Sequence, residues 1–284
     1  MSGADDAWAD WIGRQETVSD LITAMPARAL SATLDRASGG AALGEPLPLP
    51  WHWLYTLPVV RQSQIGPDGH PQRGAFLPPI PQPRRMWAGS RISLHRPLCI
   101  GDTVARTSTI VAVKTRSGRS GTLVFVTVHH AWRRQGEADA ALEEWQDIVF
   151  RDPPAAGEAA PPQRADITAD WTHMVHPDPV LLMRYSALTF NSHRIHVDRP
   201  YAMSVEGYPS LVVHGPLIAT LLLDALQREK PRAQVRRFTF KAVRPLFEGR
   251  PFTLHGATTG AGALALWAAD DEGHLAMQAN AELA

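Results

Sequence analysis

Along the chain, apolar and polar positions alternate with period two in short segments punctuated by glycine, and this happens in two blocks. The first block contains TVARTSTIVAV (103–113), GTLVFVTVHHAW (121–132) and EEWQDIVF (143–150). The second contains PFTLHGAT (251–258), GALALWAA (262–269) and HLAMQANAEL (274–283). Period-two alternation rich in β-branched residues predicts strands with one buried face. RPLCIGDTV (96–104) leads into the first block and RPLFEGRPF (244–252) into the second, with Arg, Pro, Leu and Gly in register. Ile92 and Leu94 precede the first copy at the same spacing as Phe240 and Ala242 precede the second. Each half therefore predicts about four antiparallel strands.

Ahead of the second block the period changes. HGPLIATLLLDALQREKP (214–231) has Gly215 and Pro216 where a helix starts, Arg228 and Lys230 where its negative end needs cations, and Pro231 where it must stop. It is apolar on nearly every face through Leu226, and a helix apolar all round must be buried. One buried helix wrapped by an antiparallel sheet is a hotdog. The first half has a weaker equivalent in LPWHWLYTLP (49–58), whose Trp and Pro content predicts a shorter, less regular helix. Between the halves, DPPAAGEAAPPQRA (152–165) has little to bury and reads as a connector. The expected architecture is an α+β double hotdog: one unit over 1–151, a Pro-rich linker over 152–165, and a second unit over 166–284. The two sheets could join edge to edge and so cover strands that would otherwise be exposed.

Composition narrows the class. The 284 residues are 44% hydrophobic and 20% charged, with 28 basic and 28 acidic side chains. A formal charge of zero, with no basic stripe, argues against a nucleic-acid partner. Cys99 is alone, so no internal disulfide can form, and a reducing compartment is expected. MSGADDAWADWIGRQ lacks the basic start and apolar core of a secretory signal, and PLIATLLL (216–223) is too short to span a bilayer. The expectation is a cytoplasmic protein without a membrane partner.

The candidate chemistry is concentrated in TFNSHRIHVDRPYA (189–202). FNSHRIHVD, followed by YPSLVVHGPL and the buried helix, resembles the MaoC-like (R)-specific enoyl-CoA hydratases. Their signature is Gly-Asp-x-Asn-Pro-Leu-His, then a His-Gly pair opening the central helix. The resemblance places His196 on the family's catalytic His and Gly215 on the Gly whose amide helps form the oxyanion hole. Asn191 stands where the family has its Asp, and Asn is no general base at neutral pH. PLPLPWHWLYTLP (46–58) and GPDGHPQRGAFLPPIPQPRRMWAGSRISLHRPL (66–98) extend the likeness to the tandem branch that includes mesaconyl-C4-CoA and itaconyl-CoA hydratases. It implies a hydro-lyase, a coenzyme A thioester as substrate, and no cofactor.

Hydrating an enoyl thioester needs a base for water, an acid for the α-carbon, and donors for the enolate oxygen. His196 suits the first role because imidazole titrates near working pH, and Gly215 offers a helix-terminal amide for the third. Asn191 is expected to hold a water or a substrate oxygen. His193 reads as a supporting or loop residue, and His214 as the residue that fixes the turn before Gly215. A metal held by His193, His196 and Asp198 is not expected, because HRIH has Arg where the zincin pattern needs Glu. Arg84, Arg85, Arg194 and Arg199 are candidates for the phosphates or for a distal carboxylate, with Asp198 also near the substrate. HPQRGAFLPPIP (70–81) either covers the acyl pocket or only connects. The first half has neither the Asn-to-His motif nor a His-Gly helix and is expected to carry no chemistry of its own. A fatty 3-hydroxyacyl-thioester dehydratase, a hotdog thioesterase and a non-catalytic acyl-CoA-binding protein remain open, as does a homodimer.

Overall fold

The computed structural model describes residues 6–36, 41–118, 121–153 and 161–284. The first half contributes β1 (Gln15–Leu21), α1 (Ala24–Thr33), β2 (Arg84–Leu94), β3 (Thr103–Gly118), β4 (Gly121–Arg134) and β5 (Leu142–Arg151). The second contributes β6 (Trp171–Val175), α2 (Pro179–Leu188), α3 (Arg199–Ser204), α4 (Gly215–Glu229), β7 (Val235–Ala242), β8 (Phe252–Gly260), β9 (Ala263–Ala269) and β10 (Leu275–Leu283).

All ten strands form one antiparallel sheet in the order β1-β3-β4-β5-β2-β7-β10-β9-β8-β6. Read outward from the β2–β7 pair, the two halves have the same order, with β6 to β10 replacing β1 to β5. RPLCIGDTV joins β2 to β3, and RPLFEGRPF joins β7 to β8, so the two copies occupy equivalent places. The double hotdog expected from the sequence is therefore the fold. Its seam is made by main-chain pairing of Gly89–Ser93 with Arg237–Lys241. Gly89 is required there, since a Cβ would sit 2.3 Å from the Phe240 carbonyl oxygen.

The sequence missed the outer strands β1 and β6 and the helices α1 and α2. For α2 the signal was present: Asp178 accepts a hydrogen bond from the Leu181 amide at 2.7 Å, and Pro179 opens the helix. The middle of the linker, residues 154–160, lies outside the described residues. Beyond it, Gln163 already accepts a hydrogen bond from the Leu275 amide at 2.7 Å.

α4 is the buried helix. Leu217, Ile218, Ala219, Leu222, Leu223, Ala225 and Leu226 are all inside the core. Asp224 is buried too, and it is neutralised by Arg36 at 2.5 Å and Arg228 at 2.8 Å. Among the described residues the first half has no helix of this length. The segment expected to be short is a single 3₁₀ turn, Trp51–Leu54, and the chain from 55 to 83 adds only another such turn at Gln62–Gln64. The room beside this turn opens into a cavity of about 1190 Å³, lined from both halves. No helix among the described residues is long and apolar enough to cross a membrane.

Candidate active site

The site is built on the turn between α2 and α3 and on the start of α4. After α2 the backbone reverses at Phe190 (φ +50°). Asn191 then accepts a hydrogen bond from the His193 amide through Oδ1 at 3.0 Å. This closes the turn that carries Arg194–His196 as a 3₁₀ helix. With Oδ1 engaged, Asn191 retains its NH₂ group as a hydrogen-bond donor to the cavity it lines, and it neither gives nor takes a proton.

His196 is buried and lines the cavity. Its Nδ1–H donates to the Val212 carbonyl at 2.7 Å, which leaves Nε2 as the free basic atom. The acceptor is itself fixed, because the Val212 amide donates to the Ile195 carbonyl at 2.9 Å. The ring stacks on His214, with centroids 3.7 Å apart. His214 is the N-cap residue of α4, and its Nε2 meets Ser186 Oγ from α2 at 2.8 Å. Gly215, the first residue of α4, lines the cavity, and nothing lies within 4 Å of where its Cβ would be. The first amides of a helix have no intrahelical partner, so this terminus can bind an anionic oxygen.

A loop of the first half completes the cluster. His70 lies against His193, with ring centroids 3.9 Å apart, and His193 meets His196 edge-on at 5.3 Å. His70 Nδ1–H donates to Asp68 Oδ2 at 3.0 Å, and the His70 amide donates to Asp68 Oδ1 at 3.0 Å. Three bonds tie the loop down. Ser192 Oγ donates to the Gly69 carbonyl at 2.5 Å, the Arg194 amide to the Asp68 carbonyl at 2.9 Å, and Arg194 Nη1 to the Pro67 carbonyl at 3.0 Å. Gly69 has φ +88°, and a Cβ there would fall 1.9 Å from the Ser192 carbonyl oxygen. Gly69→Ala should therefore lift the loop away and cost about 1–3 kcal/mol, the scale of local backbone strain. Chemical denaturation read alongside turnover checks this.

The sequence did not single out Asp68 or His70. The Asp-Gly pair ahead of His70 marked a turn, but only the fold shows what the turn faces. Arg194 and Asp198 are not part of the cavity lining. They pair with each other at 2.8 Å, and Asp198 also caps α3 by accepting from the Tyr201 amide. Arg199 is paired with Glu248 at 2.7 Å on the surface. Arg84 lines the cavity but is neutralised by Glu206 at 3.0 Å. Arg85 also lines the cavity, and among the described residues no carboxylate pairs with it. Burial pushes its guanidinium down to about 10, against the favourable charge of Asp68.

Burial also sets the imidazoles. It pushes His196 down to about 4, against the Val212 hydrogen bond that favours protonation. Burial and then the Arg85 charge push His70 down to about 4. Burial drives His193 and His214 well below the ordinary histidine range. For Asp68, burial would raise the carboxyl, but the hydrogen bonds from His70 and the nearby imidazoles override it and hold it low. An unfolded His titrates near 6.5. The unfolded chain thus binds more protons than the folded one as pH falls from about 6.5 towards 4. The stability these neutral imidazoles contribute is complete above that window and lost within it. Melting temperature should therefore drop between pH 7 and pH 5, and less steeply in His70→Gln.

Asp68, His70 and His193 bring their ligand atoms within 4.8 Å of one another, enough donors for a cation. The set fits a divalent ion poorly. Asp68 is already engaged by His70, the His70 and His193 rings pack on each other at a tilt of 38°, and the Arg85 charge is adjacent.

A family model described as hydroxyacyl-thioester dehydratase type 2 matches residues 50–248. The chain is 48% identical over its whole length to mesaconyl-C(4)-CoA hydratase of Chloroflexus aurantiacus, covering 99% of that protein. Among solved structures, HtdX of Mycobacterium tuberculosis matches with a TM-score of 0.68 at 20% identity, over 95% of this chain and all of that one. A conserved hypothetical protein of the same bacterium, described as a double hotdog, matches with a TM-score of 0.56 at 15% identity, over 96% of each chain.

Proposed function

The chain belongs to the hydroxyacyl-thioester dehydratase type 2 family, and on that premise we propose that it adds water to a short dicarboxylic enoyl-CoA of the mesaconyl-C4-CoA kind. It is a hydro-lyase acting on acyl thioesters. The observation that carries the finer reading is Arg85, a half-buried cation beside the imidazole cluster that no carboxylate pairs with among the described residues. In a C4-thioester of methylfumarate, the free carboxylate sits on the carbon that water attacks. A cation that holds it must therefore border the acid–base groups, and Arg85 acts electrostatically on both His70 and His193.

In this reading the thioester oxygen faces the start of α4, where the Gly215 amide and the helix dipole stabilise the enolate. His196 Nε2 takes a proton from water as the water oxygen bonds to the β-carbon. Asn191 donates its NH₂ to the water or to a substrate oxygen. His214 and Ser186 hold the His196 ring in place from below. The chemistry needs only proton transfers, so no cofactor is required.

The test is loss of enoyl-thioester absorbance with mesaconyl-C4-CoA, itaconyl-CoA, crotonyl-CoA and decenoyl-CoA. A dicarboxylic thioester is expected to turn over fastest. Faster turnover of decenoyl-CoA would overturn the substrate assignment and leave the hydratase in place. Release of free thiol without loss of the double bond would make the protein a thioesterase, and binding without turnover an acyl-CoA-binding module.

A further inference from the structure

Hydration requires two proton transfers, one at the attacking water and one at the α-carbon. His196 supplies one exchangeable site. Asn191 does not ionise, Asp198 is spent on Arg194 and the cap of α3, and His214 lies beneath His196 with Nε2 bonded to Ser186. We propose that His70, held from behind by Asp68, is the second acid–base residue, supplied by the first half of the chain and delivering the proton to the α-carbon. The proposal rests on the hydratase reading above.

Three observations support it. His70 lines the cavity, and its tautomer is fixed, because Nδ1–H is committed to Asp68 at 3.0 Å and Nε2 is left free. Of the four imidazoles in the cluster, His70 alone has a carboxylate within hydrogen-bond distance among the described residues, and that bond favours its protonated form against the burial and the Arg85 charge that oppose it. Finally, the loop is fastened to residues 192–194 in a way that requires Gly69, so the position of His70 is set by the same turn that carries His196.

His196 Nε2 accepts a proton from water, and the water oxygen bonds to the β-carbon. The π pair moves onto the thioester oxygen as an enolate. His70 Nε2–H then protonates the α-carbon as the carbonyl re-forms. Between turnovers His196 gives its proton to water and His70 takes one from water, which restores both rings. The charged and titratable groups facing His70 are Asp68, Arg85, Arg73, His193 and His196. A substrate carboxylate seated on Arg85 offsets the charge that opposes His70, and so favours the protonated ring in the complex.

The experiment compares full-length wild type, His70→Gln and Asp68→Asn on the best substrate of the panel. His70→Gln is expected to lose about a hundredfold in kcat with KM within threefold. It should also lose exchange of the α-hydrogen of the hydrated product with D₂O. Asp68→Asn should lose about tenfold, and its pH profile should shift as the imidazolium loses its counter-charge. His70→Ala should regain activity with added imidazole, a rescue that a merely structural role would not give. If His70→Gln keeps kcat and product exchange within threefold of wild type, the inference fails and the hydratase reading stands. If wild type turns over no enoyl thioester, both fall. Activity lost to EDTA and restored by zinc would make Asp68, His70 and His193 a metal site instead, and would also overturn it.

Discussion

Replacing His196 by alanine is expected to lower kcat by roughly 10²–10⁴-fold, the range for removing a general acid–base group, while the protein remains folded. The size of the effect follows from how completely the ring is committed. Nδ1–H is held by the Val212 carbonyl at 2.7 Å, so Nε2 is always the basic atom. Burial keeps the ring neutral at pH 7, so that atom is ready to take a proton from water. Asn191 and Asp198 cannot replace it, because Asn191 faces the cavity as a donor and Asp198 is turned away into its pair with Arg194. Alanine also leaves a gap against His214, so His196→Asn is the better-packed companion, since its amide can still donate to Val212. Both variants should be equally slow, with His196→Asn the more stable of the two. Steady-state kinetics read beside thermal unfolding separate the effects. Turnover of His196→Asn within threefold of wild type would remove this residue from the mechanism.

The sheet was legible in the sequence because its signal is local. Alternation in β3, β4, β5, β8, β9 and β10 reports one buried face per strand, and the repeated Arg-Pro-Leu turn gives the equivalence of the halves. α4 was legible because it is apolar all round and bounded by Gly-Pro and Pro. β1 and β6 were not, because QETVSDL and WTHMV lie at the two sheet edges and alternate only weakly in burial. On the site, the motif located Asn191, His193, His196, His214 and Gly215 in one place. It could not sort Arg84 and Arg85 from Arg194 and Arg199, since that depends on whether Glu206, Asp198 and Glu248 reach them across the fold. Asp68 and His70 were hidden for a similar reason. They are more than a hundred residues from the motif in sequence and meet it only because Gly69 lets the loop press against Ser192.

Arg85→Ala is expected to reduce kcat/KM for mesaconyl-C4-CoA by about 2–4 kcal/mol, the cost of leaving one partner of a desolvated ion pair alone. That is roughly 30- to 1000-fold. The same change should alter crotonyl-CoA turnover by less than threefold, because crotonyl-CoA has no second carboxylate to lose a partner. The contrast with Arg84 makes the test sharp. Arg84 lines the same cavity but is neutralised by Glu206 and lies over Tyr208. Its replacement should destabilise that local pair while leaving the preference between the two substrates close to wild type. Among the described residues Arg85 has no such partner, and desolvation already makes its charge costly, as its depressed guanidinium shows. A cation kept in that state by the fold is stabilised when an anionic ligand arrives, which is the selectivity a dicarboxylic substrate requires. Arg85→Lys keeps the charge but loses the forked geometry, so it should fall between wild type and alanine. Equal losses on both substrates would mean that Arg85 contacts the shared thioester or coenzyme part instead, and the dicarboxylic assignment would then lose its main support.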